Sequence, residues 1–152
     1  MEPPRPLRTI LLAGLAGGAC DILAAFLVYG LRGANPVRIL QSIASGLLGA
    51  ESYQGGAATA ALGLLLQFVI ATGAAAVFYL ASRRMSFLRE KPILAGLAYG
   101  VAVWLFMQRV VLPLSAYPHK LTYTVTGVTI GIVIHMLCVG LPISLTVRRL
   151  SG

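Results

Sequence analysis

Four apolar stretches, each about as long as a bilayer core is thick, dictate what this chain can become. They run over 8–30, 57–82, 92–116 and 122–147, and a helix of about 20 apolar residues suffices to cross the hydrocarbon. Together they occupy most of the 152 residues, which leaves no length for a soluble domain. Composition agrees, with 58% hydrophobic residues and 11% charged ones, whereas soluble domains carry about 25% charge. A water-soluble fold of this size has too little interior to hide that much apolar surface. The expected fold is all-α: a polytopic membrane four-helix bundle, built from residues 1–152 as one transmembrane domain and partnered first by the lipid bilayer.

The first stretch has to be weighed against a cleavable leader. Arg5 and Arg8 precede an apolar run that reaches Gly17-Gly18-Ala19-Cys20, which is similar to a lipoprotein cleavage site. Gly17, however, stands where such sites carry a larger apolar residue. The run also continues through 22–29, longer than a cleaved apolar region, so it reads as a retained helix.

Orientation follows from the basic residues. Arg5, Arg8, Arg83, Arg84, Arg89, Lys91, Arg148 and Arg149 border one end of the spans. Only Arg32, Arg38 and Lys120 border the other, and Arg109 lies within a span. The positive-inside rule then predicts cytoplasmic N- and C-termini, and the imbalance argues against a dual-topology dimer. Because the +8 charge borders apolar runs and forms no single basic face, nucleic acid is not an expected partner. Tyr29, Tyr53, Tyr117 and Tyr123 fall at the predicted outer ends, where aromatic belts sit.

The connection between the first two spans holds one further element. Asn35-Pro36 reads as a cap followed by a first-turn proline, and 36–48 predicts a short amphipathic helix at the outer interface. Leu40, Ile43, Ala44, Leu47 and Leu48 share its apolar stripe, Arg38, Gln41, Ser42 and Ser45 look the other way, and Gly49 can end it. Such a helix either floats at the interface or covers a central site.

Each span carries one strongly polar residue deep in its apolar run: Asp21, Gln67, Arg109 and His135. At a rise of about 1.5 Å per residue, Asp21, Gln67 and His135 fall within roughly 5 Å of the midplane, and Arg109 roughly 8 Å toward the outside. An Asp or Arg there costs about 2.5–3.5 kcal/mol on insertion scales, so it is expected to face protein or water. Small residues accompany them. Gly14, Gly17, Gly18 and Ala25 share a face with Asp21, and Ala60, Gly63, Ala71 and Ala74 one with Gln67. Thr124, Gly127, Gly131 and Cys138 lie with His135, and Ala98 and Ala102 nearly in line with Arg109. Small residues let helices approach closely in lipid, so these faces are predicted to pack inward.

Other features carry less. Gly96-Gly100 and Gly127-Gly131 match a helix-packing spacing that glycine-rich chains also produce by chance. Pro113 and Pro142 predict bends or helix ends, with a freed carbonyl at Pro142 as the alternative. Cys20 and Cys138, inside apolar runs, read as small fillers, Trp104 as a packing residue, and His119, beside Lys120, as solvated. A haem would find only His135 suitably buried. No Walker A, HExxH, CxxC, GxSxG or EF-hand pattern is present, so no catalytic residues, cofactor or metal site are expected.

Several of these segments look familiar as a set. Residues 17–21 (GGACD), 41–49 (QSIASGLLG), Gly55-Gly56, 112–116 (LPLSA) and 139–143 (VGLPI) together resemble a family of small four-helix bacterial inner-membrane proteins that has no assigned activity. The resemblance spans nearly the whole chain and implies a bacterial cytoplasmic membrane. Histidine often stands in that family where this chain has Gln67, a departure that weakens a metal or proton-relay role at this position.

Two functions compete. In the first, Asp21, Arg109, His135 and Gln67 line a polar cavity of a small transporter or channel-like protein, with Arg109 attracting an anionic group and Asp21 or His135 exchanging a proton. So narrow a bundle would need a homo-oligomer or partner subunits to form a path. In the second, Asp21 and Arg109 form an ion pair and the others staple helices within a structural or regulatory subunit of a membrane complex. An intramembrane lipid enzyme with His135 as base lacks a nucleophile, metal cluster or phosphate cradle, so an enzyme is not expected.

Overall fold

Prolines and small capping side chains set the helix starts. The structure, a computed structural model, describes residues 5–151, and every regular element among them is helical. Helix α1 (Pro6–Gly30) opens on a proline, whose missing N–H has no intrahelical acceptor to lose. Asn35 caps α2 (Pro36–Leu48), its Oδ1 accepting the Val37 N–H at 2.8 Å. Gly49, at φ +69°, ends α2 in a conformation that disfavours a Cβ. A 3₁₀ segment (Gly49–Gln54) then leads into α3 (Gly56–Arg84). Pro92 begins α4 (Pro92–Leu114), and Thr124 Oγ1 accepts the Gly127 N–H at 3.0 Å to begin α5 (Val125–Ser151). Helices α1, α3, α4 and α5 are the four long and apolar enough to cross a membrane, which makes this a multi-pass membrane protein.

The prolines near the span ends behave differently from each other. Pro113 is followed by the end of α4 at Leu114, as expected, but α5 continues through Pro142 to Ser151. Proline lacks an N–H and crowds the carbonyl four residues back. Both helices absorb this by widening just upstream, in π-helical turns at Met107–Val111 and His135–Gly140. There the Leu112 N–H reaches the Met107 carbonyl and the Leu141 N–H the Met136 carbonyl, five residues back. Arg109 and His135 both ride on these turns, and π turns recur at functional sites.

The spans pack in the order α3–α1–α5–α4, and α3 and α4 share no extended interface. Glycines make the close crossings possible. A Cβ on Gly140 would strike the Gly96 carbonyl, and one on Gly100 the His135 carbonyl, so α4 and α5 touch backbone to backbone. Gly96-Gly100 is therefore a real packing face, whereas Gly127 is exposed. Ala13, Ala75, Phe78, Ile143 and Val147 are almost wholly buried and form a dense core toward the end that carries the termini. The small polar groups there are satisfied internally: Ser82 Oγ donates to the Tyr79 carbonyl at 2.7 Å and Ser144 Oγ to the Pro92 carbonyl at 2.7 Å.

Helix α2 packs by the small and polar residues between its two faces and leaves its outer leucines exposed. Gln41, Ala44 and Ser45 are buried, while Leu47 is 62% exposed and Leu48 43%. The Leu40 carbonyl rests where a Cβ of Gly63 would be, so α2 lies directly on α3. Gln41 Nε2 donates to the Gly56 carbonyl at 3.2 Å, Ser52 Oγ to the Gln41 carbonyl at 2.8 Å, and the Ala116 N–H to the Gly46 carbonyl at 2.8 Å. Lipid gives leucines no reason to turn inward. Small residues permit close backbone approach, and polar ones need partners, so Gln41, Ala44 and Ser45 take the interior.

Candidate functional site

Where the helices part, toward the end that carries the 31–55 and 115–124 connections, they leave two cavities that share a polar floor. Asp21 reaches it from α1, where Gly17 and Gly18 hold the backbone against α5 and α3: a Cβ on Gly17 would meet Ile143 and one on Gly18 would meet Phe68. Gln67 reaches it from α3 and donates Nε2–H to Asp21 Oδ2 at 2.7 Å. The same nitrogen lies 3.4 Å from the Gly18 carbonyl. A carbonyl can only accept, so the amide nitrogen faces α1 and Oε1 is left without a protein partner among the described residues.

His135 reaches the floor from the π turn of α5. Its Nδ1 lies 2.8 Å from the Gly131 carbonyl one turn back, which calls for a proton on Nδ1; in the neutral ring Nε2 is then the acceptor. Asp21, Gln67 and His135 line both cavities. The first, about 420 Å³, is walled by Leu66, Ile70 and Ala74 of α3 and by Val103, Met107 and Val111 of α4, with Ile43 and Gly46 of α2 above. It lies at the gap between α3 and α4, whose sides are apolar, with Ser42, Ser115 and Tyr117 lining it as well. Below it the Tyr99 hydroxyl bonds the Ala74 carbonyl at 2.6 Å and its ring stands 5.0 Å from that of Phe78. This contact closes the cavity toward the termini.

The second cavity, about 660 Å³, rises from the same floor to a rim of Arg38, Tyr53, Tyr117 and His119. Arg38 stacks over the Tyr53 ring at 4.5 Å, the Tyr53 hydroxyl is 3.1 Å from His119 Nε2, and the Tyr117 and His119 rings stand 5.2 Å apart. Burial, and secondarily the neighbouring Tyr53, push the Tyr117 hydroxyl above its ordinary pKa, while a hydrogen bond with Ser42 opposes the rise. The sequence placed Arg38 on a face looking away from the bundle and His119 in a solvated loop. Nothing local in either segment signals that 31–55 and 115–124 meet.

Arg109 stands apart from this group. It is exposed, lines neither cavity, and makes no ion pair with Asp21. Its guanidinium instead lies 5.9 Å from the Tyr123 ring. The small residues used to orient it misdirect, because Ala98 and Ala102 are exposed too. The packed face of α4 is Gly96, Gly100 and Trp104, spaced one turn apart, with the Trp104 indole against Gly131. Cys20 and Cys138, predicted as separate fillers, are neighbours where α1 meets the π turn of α5, close to Asp21. Among the described residues no group of three or more His, Cys, Asp or Glu could hold a metal ion.

Comparison with known proteins adds no relative: no family model, curated protein or solved structure matches this chain.

Proposed function

We propose that this protein is a small membrane transporter whose binding site is the floor formed by Asp21, Gln67 and His135. One observation carries the reading: three polar side chains from three different spans line a cavity that runs to one end of the molecule and is shut toward the other. Such one-sided access is what an alternating-access protein presents in one of its two states. Free acceptor atoms on the floor support it further, since staples that served only to join helices would use up their hydrogen bonds on one another.

In this reading the four spans form a bundle in a bacterial inner membrane, in line with the family the sequence resembles. The excess of Arg and Lys at the end with the termini sets that end in the cytoplasm and the rim of Arg38, Tyr53 and His119 outside. Helix α2 is then an amphipathic lid at the outer interface, dipping onto α3 with its leucines toward lipid. Arg109 is left out of the site and serves as an anchor near the outer headgroups.

Water access is the test. In a background carrying Cys20→Ala and Cys138→Ala, Gln67→Cys is exposed to a membrane-impermeant methanethiosulfonate in intact cells. Labelling from outside, with none at a control Ala75→Cys in the dense core, is expected. A Gln67→Cys thiol that resists the reagent would overturn the reading and favour a structural or regulatory subunit with a dry interior.

A further inference from the structure

The floor and the gap between α3 and α4 together specify a ligand class. We propose that the site takes a primary ammonium group carried on an apolar tail, and that the tail lies in the gap and reaches the bilayer through it; this rests on the transporter reading above.

The head follows from the hydrogen-bond inventory. Gln67 uses its nitrogen on α1, His135 uses Nδ1 on Gly131, and Asp21 uses Oδ2 on Gln67. What remains at the floor is Asp21 Oδ1, Gln67 Oε1 and the Nε2 of a neutral His135, three acceptors; the Ser42 and Tyr117 hydroxyls, which also line both cavities, hydrogen-bond each other. A carboxylate in the membrane interior needs a counter-charge, and no described Arg, Lys or His forms an ion pair with Asp21: Arg38 stacks at the rim, Arg109 lies outside the site, and His135 turns Nδ1 to Gly131. A primary ammonium brings one positive charge and three N–H donors, matching the floor in charge and in number. An inorganic cation does not match. Calcium wants six to eight oxygens and magnesium a near-ideal octahedron, whereas this floor offers two oxygens and an imidazole nitrogen. An anionic head would meet Asp21.

The tail follows from the walls. The cavity in the gap has a volume of about 420 Å³, within the range of small-molecule sites, and Leu66, Ile70, Val103 and Val111 give it aliphatic sides. Ile70 is 39% exposed, so the wall continues to the outer surface of α3. Because α3 and α4 have no extended interface at this level, a chain can lie between them without parting packed helices. The polar floor and apolar gap meet at one point, the arrangement an amphiphile needs.

Trp104, the only tryptophan in the chain, follows the wall residue Val103 on α4 and provides the readout. Protein in phosphatidylcholine nanodiscs is titrated with 12-bromododecylamine, and Trp104 quenching is compared with that by 12-bromododecanol and 12-bromododecanoate. Saturable quenching by the amine alone is expected, displaced by dodecylamine and at least 10-fold less readily by butylamine. Asp21→Asn should weaken the amine by 10-fold or more while keeping the parental melting temperature, which serves as the folding control. Ile70→Phe, at the edge of the gap, should weaken the dodecyl amine and leave butylamine unchanged. Equal, unsaturable quenching by all three bromo compounds would overturn the proposal, as would an Asp21→Asn variant that binds normally. Displacement by sodium ions with no dependence on chain length would assign the floor to a small cation and overturn it as well. If Gln67→Cys labels from outside and the amine still fails, only the ligand class falls; if Gln67→Cys does not label, the transporter reading falls first.

Discussion

At the end that carries the termini, Ala13, Phe78, Ile143 and Val147 fill the space between the spans, and serine hydroxyls there close on nearby carbonyls. At the other end the same helices part around Asp21, Gln67 and His135, whose remaining acceptors meet no protein donor among the described residues. The difference arises from side-chain size and from two prolines. Where glycine and alanine face one another, the backbones meet and dispersion holds the helices together. Where wide turns precede Pro113 and Pro142, α4 and α5 lose their regular register: His135 still faces the interior as its spacing predicts, whereas Arg109 does not.

The largest effect should come from breaking the dense end at its closest approach. Gly140→Val places a side chain into the Gly96 carbonyl and has no room to relax, since Gly100 backbone lies on its other flank. Overpacking costs about 1–3 kcal/mol where side chains can shift and more where backbone must, so a purified variant should lose most of its monodisperse fraction. Gly73→Val, which meets open space, should elute as the parent does. Cavity-forming changes extend the same contrast at lower cost. Ile143→Ala, fully buried, should destabilise by about 2 kcal/mol, the low end of the range because lipid supplies no transfer term. Ile43→Ala borders existing space and should cost about 0.5 kcal/mol or less by the same reasoning. Thermal unfolding in detergent reads both, and equal losses would erase the distinction between the two ends.

Local chemistry was legible in sequence at both ends. Helix starts at Pro36 and Pro92, the cap at Asn35 and the stop at Gly49 are local chemistry, and the structure places them where the sequence does. The small-residue faces of α1 and α3 also point inward, with Asp21 and Gln67 meeting across them. What failed depended on surroundings more than on spacing. On α2 the sequence marks an apolar stripe but not which residues meet α3, and small and polar ones do. The rim of Arg38, Tyr53 and His119 joins segments far apart in sequence, and no local signal marks that contact. Cys20 and Cys138 met for the same reason: only the packing of α1 on α5 brings them together.

At the open end a charge can be removed without disturbing the packing. Asp21→Asn keeps an oxygen to accept from Gln67 Nε2 and the volume of the side chain, so the melting temperature should stay near the parental value. The effect on stability is about 1 kcal/mol at most, the scale of one hydrogen bond between membrane helices. Water access at Gln67→Cys should persist in this background while amine binding is lost. A collapse of the fold instead would mean that Asp21 is a structural staple, and that the open end is held as tightly as the other.

Arg109 gives the smallest effect and the sharpest discrimination. Had it paired with Asp21, its removal would leave an uncompensated charge in the membrane interior, a loss of about 3–5 kcal/mol for a buried pair. In the structure it rides the outward side of a π turn, about 8 Å by helical rise from the end of α4, with its guanidinium toward Tyr123. A long basic side chain so placed extends to the interface along its aliphatic stem. Arg109→Gln should therefore cost only the stacking contact, about 0.5–1 kcal/mol at an exposed site. Tyr123→Ala should lower stability by a similar amount, and the double variant by no more than either alone plus a few tenths. A double-mutant cycle on thermal unfolding measures that coupling directly, and a strong coupling of Arg109 to Asp21 in the same assay would return the arginine to the site.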